Sequence, residues 1–309
     1  MRFRNPRLLP VGAHGTEDVL VDTEGRLYTG VADGRILRVD PGGGPVETVA
    51  EVPGRPLGLE FLGEDELLVC ASDAGLLTVR IADGTVRTLL RGVPGAPLLA
   101  CNNAAVADDG TVYFSDSSRY YVIPRWRVDI IEHTRSGRLL RRNPDGTVDQ
   151  LLTGLDFANG VALAADGSFV AVAETGGCRV SRLWLTGERA GSVEVLAGEL
   201  PGYPDNISTG SDGLIWVALP SPRVAALAAI QRLPRPVRGL AARLPSSLQP
   251  SPKPLAGVLG VDAEGHVAHH YEGELPGFRM LTGVREQAGT LYFGSLEESS
   301  LVVAEHRPS

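Results

Sequence analysis

Cysteine is scarce in this sequence, and its scarcity limits how the fold can be held together. The 309 residues include three cysteines, Cys70, Cys101 and Cys178, which lie far apart. A small odd set cannot form the disulfide framework of small secreted domains, and it fits reduced thiols in a cytoplasmic protein. None of them has the sequence spacing of a metal ligand from another cysteine or from a histidine. We expect all three to be buried as small apolar residues.

Long apolar runs and an excess of positive charge are also missing. No stretch of about 18 uninterrupted apolar residues occurs, so no transmembrane segment is predicted. The opening sequence, MRFRNPRLLPVGAHG, is basic but lacks the apolar core of a signal peptide. The net charge of −8 argues against the basic stripe that a nucleic-acid-binding surface needs. We therefore expect no nucleic-acid partner; a small molecule is the expected substrate.

The sequence does contain an internal repeat. An Asp-Gly type turn followed by short β-rich strands recurs in six units, some of them interrupted. The units cover 22–52, 63–93, 108–155, 165–200, 211–273 and 286–306. Radial repetition of short strands with Gly, Asp and Asn turns is typical of a β-propeller. A two-sheet sandwich, the alternative, gives no reason for six similar units.

The predicted fold class is therefore all-β, a single six-bladed β-propeller over residues 1–309 with a short helical lid. The last unit is short of strands. We expect the N-terminal segment around Leu8–Val11 to supply the missing outer strand and close the ring. Such closure removes the exposed edges that an open sheet would carry.

Two insertions interrupt the repeat. The first insertion, residues 117–137, carries Tyr120, Tyr121 and Trp126. The second insertion, residues 221–254, is rich in Ala, Leu and Arg and is broken by prolines, which predicts one or two short amphipathic helices. Insertions in repeat proteins often lie on the binding face, so both are predicted to form a lid over one mouth of the propeller. Contact of the basic helix with anionic lipid is the alternative.

Oxygen-bearing side chains precede the turn at a similar distance in several units. Equivalent positions at the start of the innermost strands converge on the axis of a propeller, so we expect these side chains to meet there. Carboxylate and carboxamide oxygens are ligands that Ca²⁺ prefers, whereas the lack of His and Cys argues against zinc. Each residue could instead be only a turn former or a strand-end cap. The residues are Glu17, Asn102, Asn103, Asn159, Asp205 and Asn206.

Motifs around these residues resemble a known group of proteins. The segments GTVYFSDSS (110–118), FANGVALAADGSFVAVAET (157–175) and PGYPDNI (201–207) are similar to those of the SMP-30/gluconolactonase superfamily of six-bladed propellers. Within it, the chain most resembles the strictosidine-synthase-like branch that includes adipocyte plasma membrane-associated protein. The resemblance extends over nearly the whole chain. It implies a divalent metal on the channel axis, usually Ca²⁺, with ligands at Glu17, Asn102, Asn159 and Asp205.

The chain departs from the superfamily's patterns at three places. An Asn-Asp pair of the family is Asn102-Asn103 here, which removes one carboxylate. Leu57 stands where the paraoxonase-like branch has a catalytic histidine. Strictosidine synthases use a glutamate shortly before the last blade's strand, and Arg279 is the nearest residue here, which argues against condensation chemistry of the plant type.

The predicted function is that of a metal-dependent hydrolase of a lactone or ester. Ca²⁺ is the expected metal, with Mg²⁺, Mn²⁺ and Zn²⁺ as alternatives. Asp205 is expected to act as general base as well as ligand, and Glu132 with His133 forms a reserve acid/base pair. The aromatic residues of the first insertion would shape the pocket together with Arg279, and Asn103 and Asn206 would support the metal site. Condensation of an amine with an aldehyde through Glu132, or a non-catalytic scaffold, remain the alternatives.

Overall fold

The computed structural model describes residues 3–42, 44–93, 96–273 and 275–306. Six four-stranded antiparallel sheets follow one another along this part of the chain. The innermost strands contact one another at five of the six junctions between neighbouring sheets around a common axis, and at the sixth junction the innermost strand of one sheet contacts the second strand of the other. The architecture is a six-bladed β-propeller, as the repeat predicted.

The blades are numbered in chain order, and their strands run from the axis outwards. The strands are Leu20–Val21, Leu27–Gly30, Arg35–Val39 and Glu47–Glu51 in blade 1; Pro56–Phe61, Glu66–Ala71, Gly75–Arg80 and Val86–Leu90 in blade 2; Cys101–Val106, Val112–Asp116, Gly137–Arg142 and Val148–Leu155 in blade 3; Ala158–Leu163, Phe169–Glu174, Arg179–Trp184 and Val193–Ala197 in blade 4; Ile207–Thr209, Ile215–Leu219, Ala256–Val261 and Val267–Gly273 in blade 5; and Leu281–Gln287, Thr290–Ser295, Ser300–Glu305 and Arg4–Pro10 in blade 6. Two short pairs accompany them, Gly92–Val93 with Ala96–Pro97 and Gly202–Tyr203 with Ser221–Pro222.

The N-terminal strand closes the ring. Arg4–Pro10 pairs antiparallel with Ser300–Glu305, with Leu8 opposite Val302 and Leu9 opposite Leu301. This confirms the prediction that the N-terminal segment completes the last blade. The blades begin one strand earlier than the sequence units, because the innermost strand precedes the Asp-Gly turn from which each unit was counted.

The hydrophobic core lies between neighbouring blades. The second strand of blade 4, FVAVAE, is buried along its whole length, because blades pack against both of its faces. Phe169 on this strand shares a cluster with Val217 of blade 5. Outermost strands are covered less, as in Val193–Ala197, where only the last two residues are buried. The three cysteines are buried and unpaired, as predicted.

Glycine allows the innermost strands to approach one another near the axis. A Cβ on Gly160 of blade 4 would lie 2.2 Å from the backbone nitrogen of Ile207 in blade 5. Gly58 of blade 2 and Gly283 of blade 6 approach the backbones of Asn103 and Asp18 in the same way. Alternate blades therefore carry no side chain at this level, which leaves the space to the polar side chains of blades 1, 3 and 5.

Both insertions contain helices, and these helices contact one another. The first contains a 3₁₀ turn at Ile123–Arg125 and helix α1 at Trp126–Glu132. The second contains α2 at Ala225–Gln231, α3 at Arg235–Ala241 and a 3₁₀ turn at Ser246–Leu248. α1 contacts both α2 and α3. Two short helices in the second insertion agree with the prediction, whereas α1 was not predicted, although its Val and Ile residues are spaced for a helix.

No helix in the described segments combines the length and apolar character needed to cross a bilayer. That the whole chain forms one domain, with the two insertions acting as a lid, stays a prediction.

Candidate active site

A cavity lies where the innermost strands begin, at one end of the channel. Its lining includes the four residues predicted to hold a metal: Glu17, Asn102, Asn159 and Asp205. They come from blades 1, 3, 4 and 5, and the ring geometry brings them together although they are up to 188 positions apart. The rest of the lining comes largely from apolar residues, including residues of both insertions.

The hydrogen bonds of Asn159 direct its carbonyl oxygen away from the blade. Its Nδ2 donates to Thr175 Oγ1 at 3.2 Å, and that hydroxyl donates its only proton to the carbonyl of Pro204 at 2.7 Å. Thr175 can therefore only accept from Asn159, which assigns the amide orientation. The Oδ1 atom is buried and has no hydrogen-bond partner in the described part of the chain. A buried carbonyl oxygen left without a donor is a position where a cation fits.

Asn102 is oriented in the same way. Its Nδ2 donates to Ser117 Oγ at 2.9 Å, and the residue borders the cavity. Each of the two amides is thus held through its nitrogen by a hydroxyl of its own blade. The Oδ1 atoms of both residues are therefore the ones left to bind a ligand.

Ionisation of both carboxyl groups of the site is unfavourable without a positive charge between them. Burial raises the pKa of Asp205 well above its usual range, and the nearby charge of Glu17 raises it further. Burial also raises the pKa of Glu17, and the Arg55 guanidinium, whose Nη2 lies 2.6 Å from Glu17 Oε2, opposes that rise. A divalent cation would relieve this repulsion, because it stabilises both ionised carboxylates.

A second layer of polar side chains lies beneath the first. Asp18, Asn103 and Asn206 follow Glu17, Asn102 and Asp205 directly in sequence, so they point to the next level of the channel. Asn103 donates from Nδ2 to Asp18 Oδ2 at 3.4 Å and accepts at Oδ1 from the backbone of Val161 at 2.9 Å. Both of its polar side-chain atoms are therefore used to join blades 1, 3 and 4.

Asp18 was not singled out by the sequence, although its position next to Glu17 was a usable signal. Its carboxylate accepts from the backbone nitrogens of Val19 at 2.9 Å and Leu59 at 3.0 Å. These bonds make it a brace between blades 1 and 2. Asn206 is 2% exposed, and neither polar atom of its side chain has a hydrogen-bond partner within the described residues.

Arg285 lies below this layer. Its guanidinium donates to the carbonyls of Val19 at 3.1 Å and Leu59 at 2.9 Å. It also pairs with Glu60 at 3.0 Å and lies 4.0 Å from Asp18. The positive charge at this level compensates the buried Asp18 carboxylate.

The walls of the cavity are apolar. Leu57, Phe157 and Met280 contribute from the propeller, and Trp126 and Leu227 contribute from the insertions. Phe157 and Met280 have positive φ angles of 61° and 52°, which non-glycine side chains rarely adopt. Strain of this kind persists where the surroundings impose it and is concentrated at binding sites.

The other residues predicted for the pocket lie elsewhere. Of the three aromatic residues named in the first insertion, only Trp126 borders the cavity, and Tyr120 is 64% exposed. Tyr121 donates from its hydroxyl to Glu132 Oε2 at 2.8 Å, outside the cavity. Arg279 is exposed and lies 3.4 Å from both Glu297 and Glu298.

Glu132 and His133 do not border the cavity either. They stand at the C-terminal end of α1, where Glu132 faces α3 in a separate crevice. His133 is the C-cap with a φ of 53° and is paired with Asp156. Helix α1 turns its Ile130 and Ile131 side towards the cavity, so the next two residues point away from it.

Asp129 is a titratable group that no sequence pattern singles out. It is 1% exposed, and its Oδ2 accepts hydrogen bonds from the hydroxyls of Ser118 and, at 2.8 Å, Thr134. Ser118 and Thr134 flank the beginning and end of the first insertion, so Asp129 holds the two ends together. Burial raises the pKa of Asp129 to about 6, although both hydroxyls oppose the rise.

We expect Asp129 to make stability depend on pH. The folded protein binds more protons than the unfolded chain between pH 3.8 and about pH 6, so the free energy of unfolding falls as the pH rises through this window. The loss amounts to about 3 kcal/mol. Asp129→Asn should lack it, and urea unfolding of both proteins across the window measures the difference. Equal pH slopes for the two proteins would contradict the role given to Asp129.

Six blades around an axial cavity with an oxygen-rich floor place the protein among the six-bladed β-propellers, and solved structures share this fold. A gluconolactonase from Xanthomonas campestris superposes with a TM-score of 0.70 at 16% identity, covering 98% of this chain and 90% of its own. Regucalcin from Agrobacterium tumefaciens, described as a calcium-binding protein, superposes with a TM-score of 0.64 at 16% identity, covering 97% and 95%. At such identities the likeness shows the shared six-bladed fold.

Sequence comparison then gives the family. The strictosidine synthase family model matches residues 102–188, and the strictosidine synthase-like N-terminal model matches residues 2–39. Strictosidine synthase-like protein 10 of Arabidopsis thaliana is 34% identical over 92% of this chain and 83% of its own. Adipocyte plasma membrane-associated protein of Rattus norvegicus is 33% identical over 69% of this chain and 60% of its own. The chain belongs to the strictosidine synthase-like family, as its motifs predicted.

Proposed function

We propose that the protein is a metal-dependent hydrolase of apolar esters or lactones. The observation that carries the proposal is the buried, unpartnered Oδ1 of Asn159 beside the carboxylates of Glu17 and Asp205, at the floor of an apolar cavity. Solved structures of the same fold include enzymes named for gluconolactonase and luciferin-regenerating activity, which supports a hydrolase within this superfamily.

The residues of the floor fit a divalent cation. Glu17, Asn102, Asn159 and Asp205 offer oxygen atoms only, and no group of three or more His, Cys, Asp or Glu side chains in the described residues offers a competing site. An all-oxygen set with carboxamides favours Ca²⁺ over zinc. The chemistry that such a cation supplies when bound is polarisation of a carbonyl oxygen and a lowered pKa of a water molecule.

The chain's own residues would perform the remaining tasks. Asp205 lies at the floor and would accept the proton of the attacking water. Arg55 holds one oxygen of Glu17 and so limits the directions in which that carboxylate can point. Trp126, Phe157 and Met280 would hold the acyl or aryl part of the substrate and exclude bulk water.

The lining also indicates the kind of ester. A polyhydroxylated sugar lactone needs many hydrogen-bonding groups, whereas the walls here are mostly aliphatic and aromatic. An apolar acyl or aryl substrate fits this lining better. Amine–aldehyde condensation is less well supported, because Glu132, the carboxylate it would use, lies outside the cavity.

Removal of the metal tests the proposal. Purified protein should hydrolyse members of a panel of aryl esters and lactones in Ca²⁺, lose that turnover in EDTA and regain it when Ca²⁺ is restored. Ca²⁺ should also raise the melting temperature, because a ligand that binds only the folded state adds about 2.7 kcal/mol at one hundred times its dissociation constant.

The controls separate metal binding from catalysis. Asn159→Ala should abolish the thermal shift, whereas Asn143→Ala, after the third strand of blade 3 and outside the cavity, should keep it. A thermal shift without turnover of any ester or lactone would refute the hydrolase and leave the metal site standing. Turnover that survives EDTA would refute the metal dependence.

A further inference from the structure

The second insertion exposes an apolar stripe to solvent. Five of its large apolar side chains are exposed: Leu233 by 43%, Val237 by 44%, Leu240 by 66%, Leu244 by 42% and Leu248 by 67%. Val237 and Leu240 lie three residues apart on α3, the spacing of one helix face. Leu233, Leu244 and Leu248 lie in the turns on either side of this helix. We call the segment from Leu233 to Leu248 the outer stripe.

The opposite side of the same segment is packed. Ala242 is buried in a cluster with Ile130 and Ile131 of α1 and with Leu227 of α2. Gln249 Nε2 donates to the carbonyls of Ala242 at 3.0 Å and Leu244 at 2.9 Å, which holds the turn after α3. The packing of this side leaves the five large apolar side chains of the outer stripe uncovered by the described residues.

Positive charge surrounds the outer stripe. Residues 221–254 contain five arginines, one lysine and no acidic residue, in a chain whose net charge is −8. Arg232, Arg235 and Arg243 are exposed, and none of the three forms an ion pair within the described residues. An apolar helix face flanked by unpaired arginines has the composition of a helix that lies in a membrane interface.

The charge distribution indicates which kind of partner surface binds the outer stripe. An anionic surface attracts the second insertion and repels the acidic remainder of the chain, so it also orients the molecule. A symmetric dimer through the same face would bring the arginines of one copy against those of the other. We propose that the outer stripe docks the protein on anionic phospholipid membranes, with its leucines among the acyl chains and its arginines at the phosphates.

Docking in this way would place the cavity next to the lipid. The same insertion that exposes the outer stripe contributes Val224, Leu227 and Pro250 to the cavity wall. An apolar substrate dissolved in the membrane could then reach the cavity without crossing water. The binding surface itself is independent of the proposed hydrolase activity.

Vesicle flotation of the full chain tests the proposal. Vesicles of phosphatidylcholine alone are compared with vesicles that also contain phosphatidylglycerol, at low and high salt. We expect binding to the anionic vesicles at low salt and its loss at high salt. Leu240→Ser with Leu248→Ser should weaken binding about a hundredfold, at about tenfold for each leucine withdrawn from the interface. Arg235→Gln with Arg243→Gln should weaken it about thirtyfold.

A matched control uses exposed apolar residues at another place. Val193 and Val195, each 51% exposed on the outermost strand of blade 4, are changed to serine together and should leave binding unchanged. Binding that is equal for neutral and anionic vesicles, or insensitive to the leucine changes, would overturn the proposal. A concentration-dependent dimer that the leucine changes dissociate, without vesicle binding, would assign the outer stripe to a second copy instead.

Discussion

Replacing Asp205 with asparagine is expected to lower kcat/KM for the best ester or lactone substrate by about 10³-fold. The change keeps the shape of the side chain but removes the charge that would hold the metal and accept a proton. It should also weaken Ca²⁺ binding, measured by calorimetry in the absence of substrate. Steady-state kinetics over a range of Ca²⁺ concentrations then shows whether added metal restores any activity.

The same variant should remain folded, which makes the result interpretable. Burial and the charge of Glu17 disfavour an ionised Asp205 in the metal-free protein, so its neutral replacement should unfold at no lower temperature than the parent without Ca²⁺. Asp166→Asn is the matched control, because it makes the same chemical change in an exposed turn of blade 4, outside the cavity. Full activity of Asp205→Asn would remove Asp205 from the site. Lost activity with unchanged metal affinity would leave it a proton acceptor and not a ligand.

The largest effect on stability is expected at a buried ion pair in blade 3. Asp116 and Arg138 lie on neighbouring strands and are 0% and 1% exposed, with Arg138 Nε 3.1 Å from Asp116 Oδ2. Asp116 also accepts from the backbone of Ala100 at 2.9 Å, and Arg138 donates to the carbonyl of Pro97 at 3.2 Å. The pair therefore attaches the segment that leads into blade 3 to the blade itself.

Arg138→Met should lower the free energy of unfolding by about 4 kcal/mol. Burial already raises the pKa of Asp116, and Arg138 is the main group that opposes the rise, so its removal leaves a buried carboxylate without a counter-charge. The matched control is Arg35→Met at the exposed pair with Asp33, which should lower the free energy of unfolding far less, because solvent screens that pair. Urea unfolding measures both.

The double variant gives a second test of the same pair. Asp116→Asn added to Arg138→Met removes the unpaired charge and should recover part of the loss. Equal losses of unfolding free energy for Arg138→Met and Arg35→Met would show that burial does not increase the contribution of the Asp116–Arg138 pair to stability. A double variant no more stable than Arg138→Met would assign the cost to lost packing instead of the unpaired charge.

The fold and the residues at the floor of the cavity are visible in the sequence for related reasons. Repeated turns and strands indicate a radial architecture, because every blade packs against its neighbours in the same way and therefore has the same sequence pattern. Symmetry then converts equal positions within the repeat into neighbours in space. That is why Glu17, Asn102, Asn159 and Asp205 could be grouped without coordinates, although what they bind is still a proposal.

The sequence carries no comparable positional signal where no repeat applies. Glu132 and His133 are plausible acid/base residues in the sequence, but the direction of a helix face decides what a side chain reaches, and α1 turns them away from the cavity. Asp129, three residues before Glu132, looks equally polar. Only packing shows that it is buried and has a raised pKa.

The sequence by itself determined the propeller, its closure by the N-terminal strand, the two insertions and the set of axial oxygens. These follow from local pattern and from symmetry. The tertiary structure alone decided which polar atoms of these asparagines are bonded: Asn103 uses both polar atoms to bridge blades, whereas Asn159 has its nitrogen held and its oxygen unbonded. It also decided that the apolar row of α3 faces solvent. Such features depend on contacts between segments far apart in the chain, and a one-dimensional pattern does not contain them.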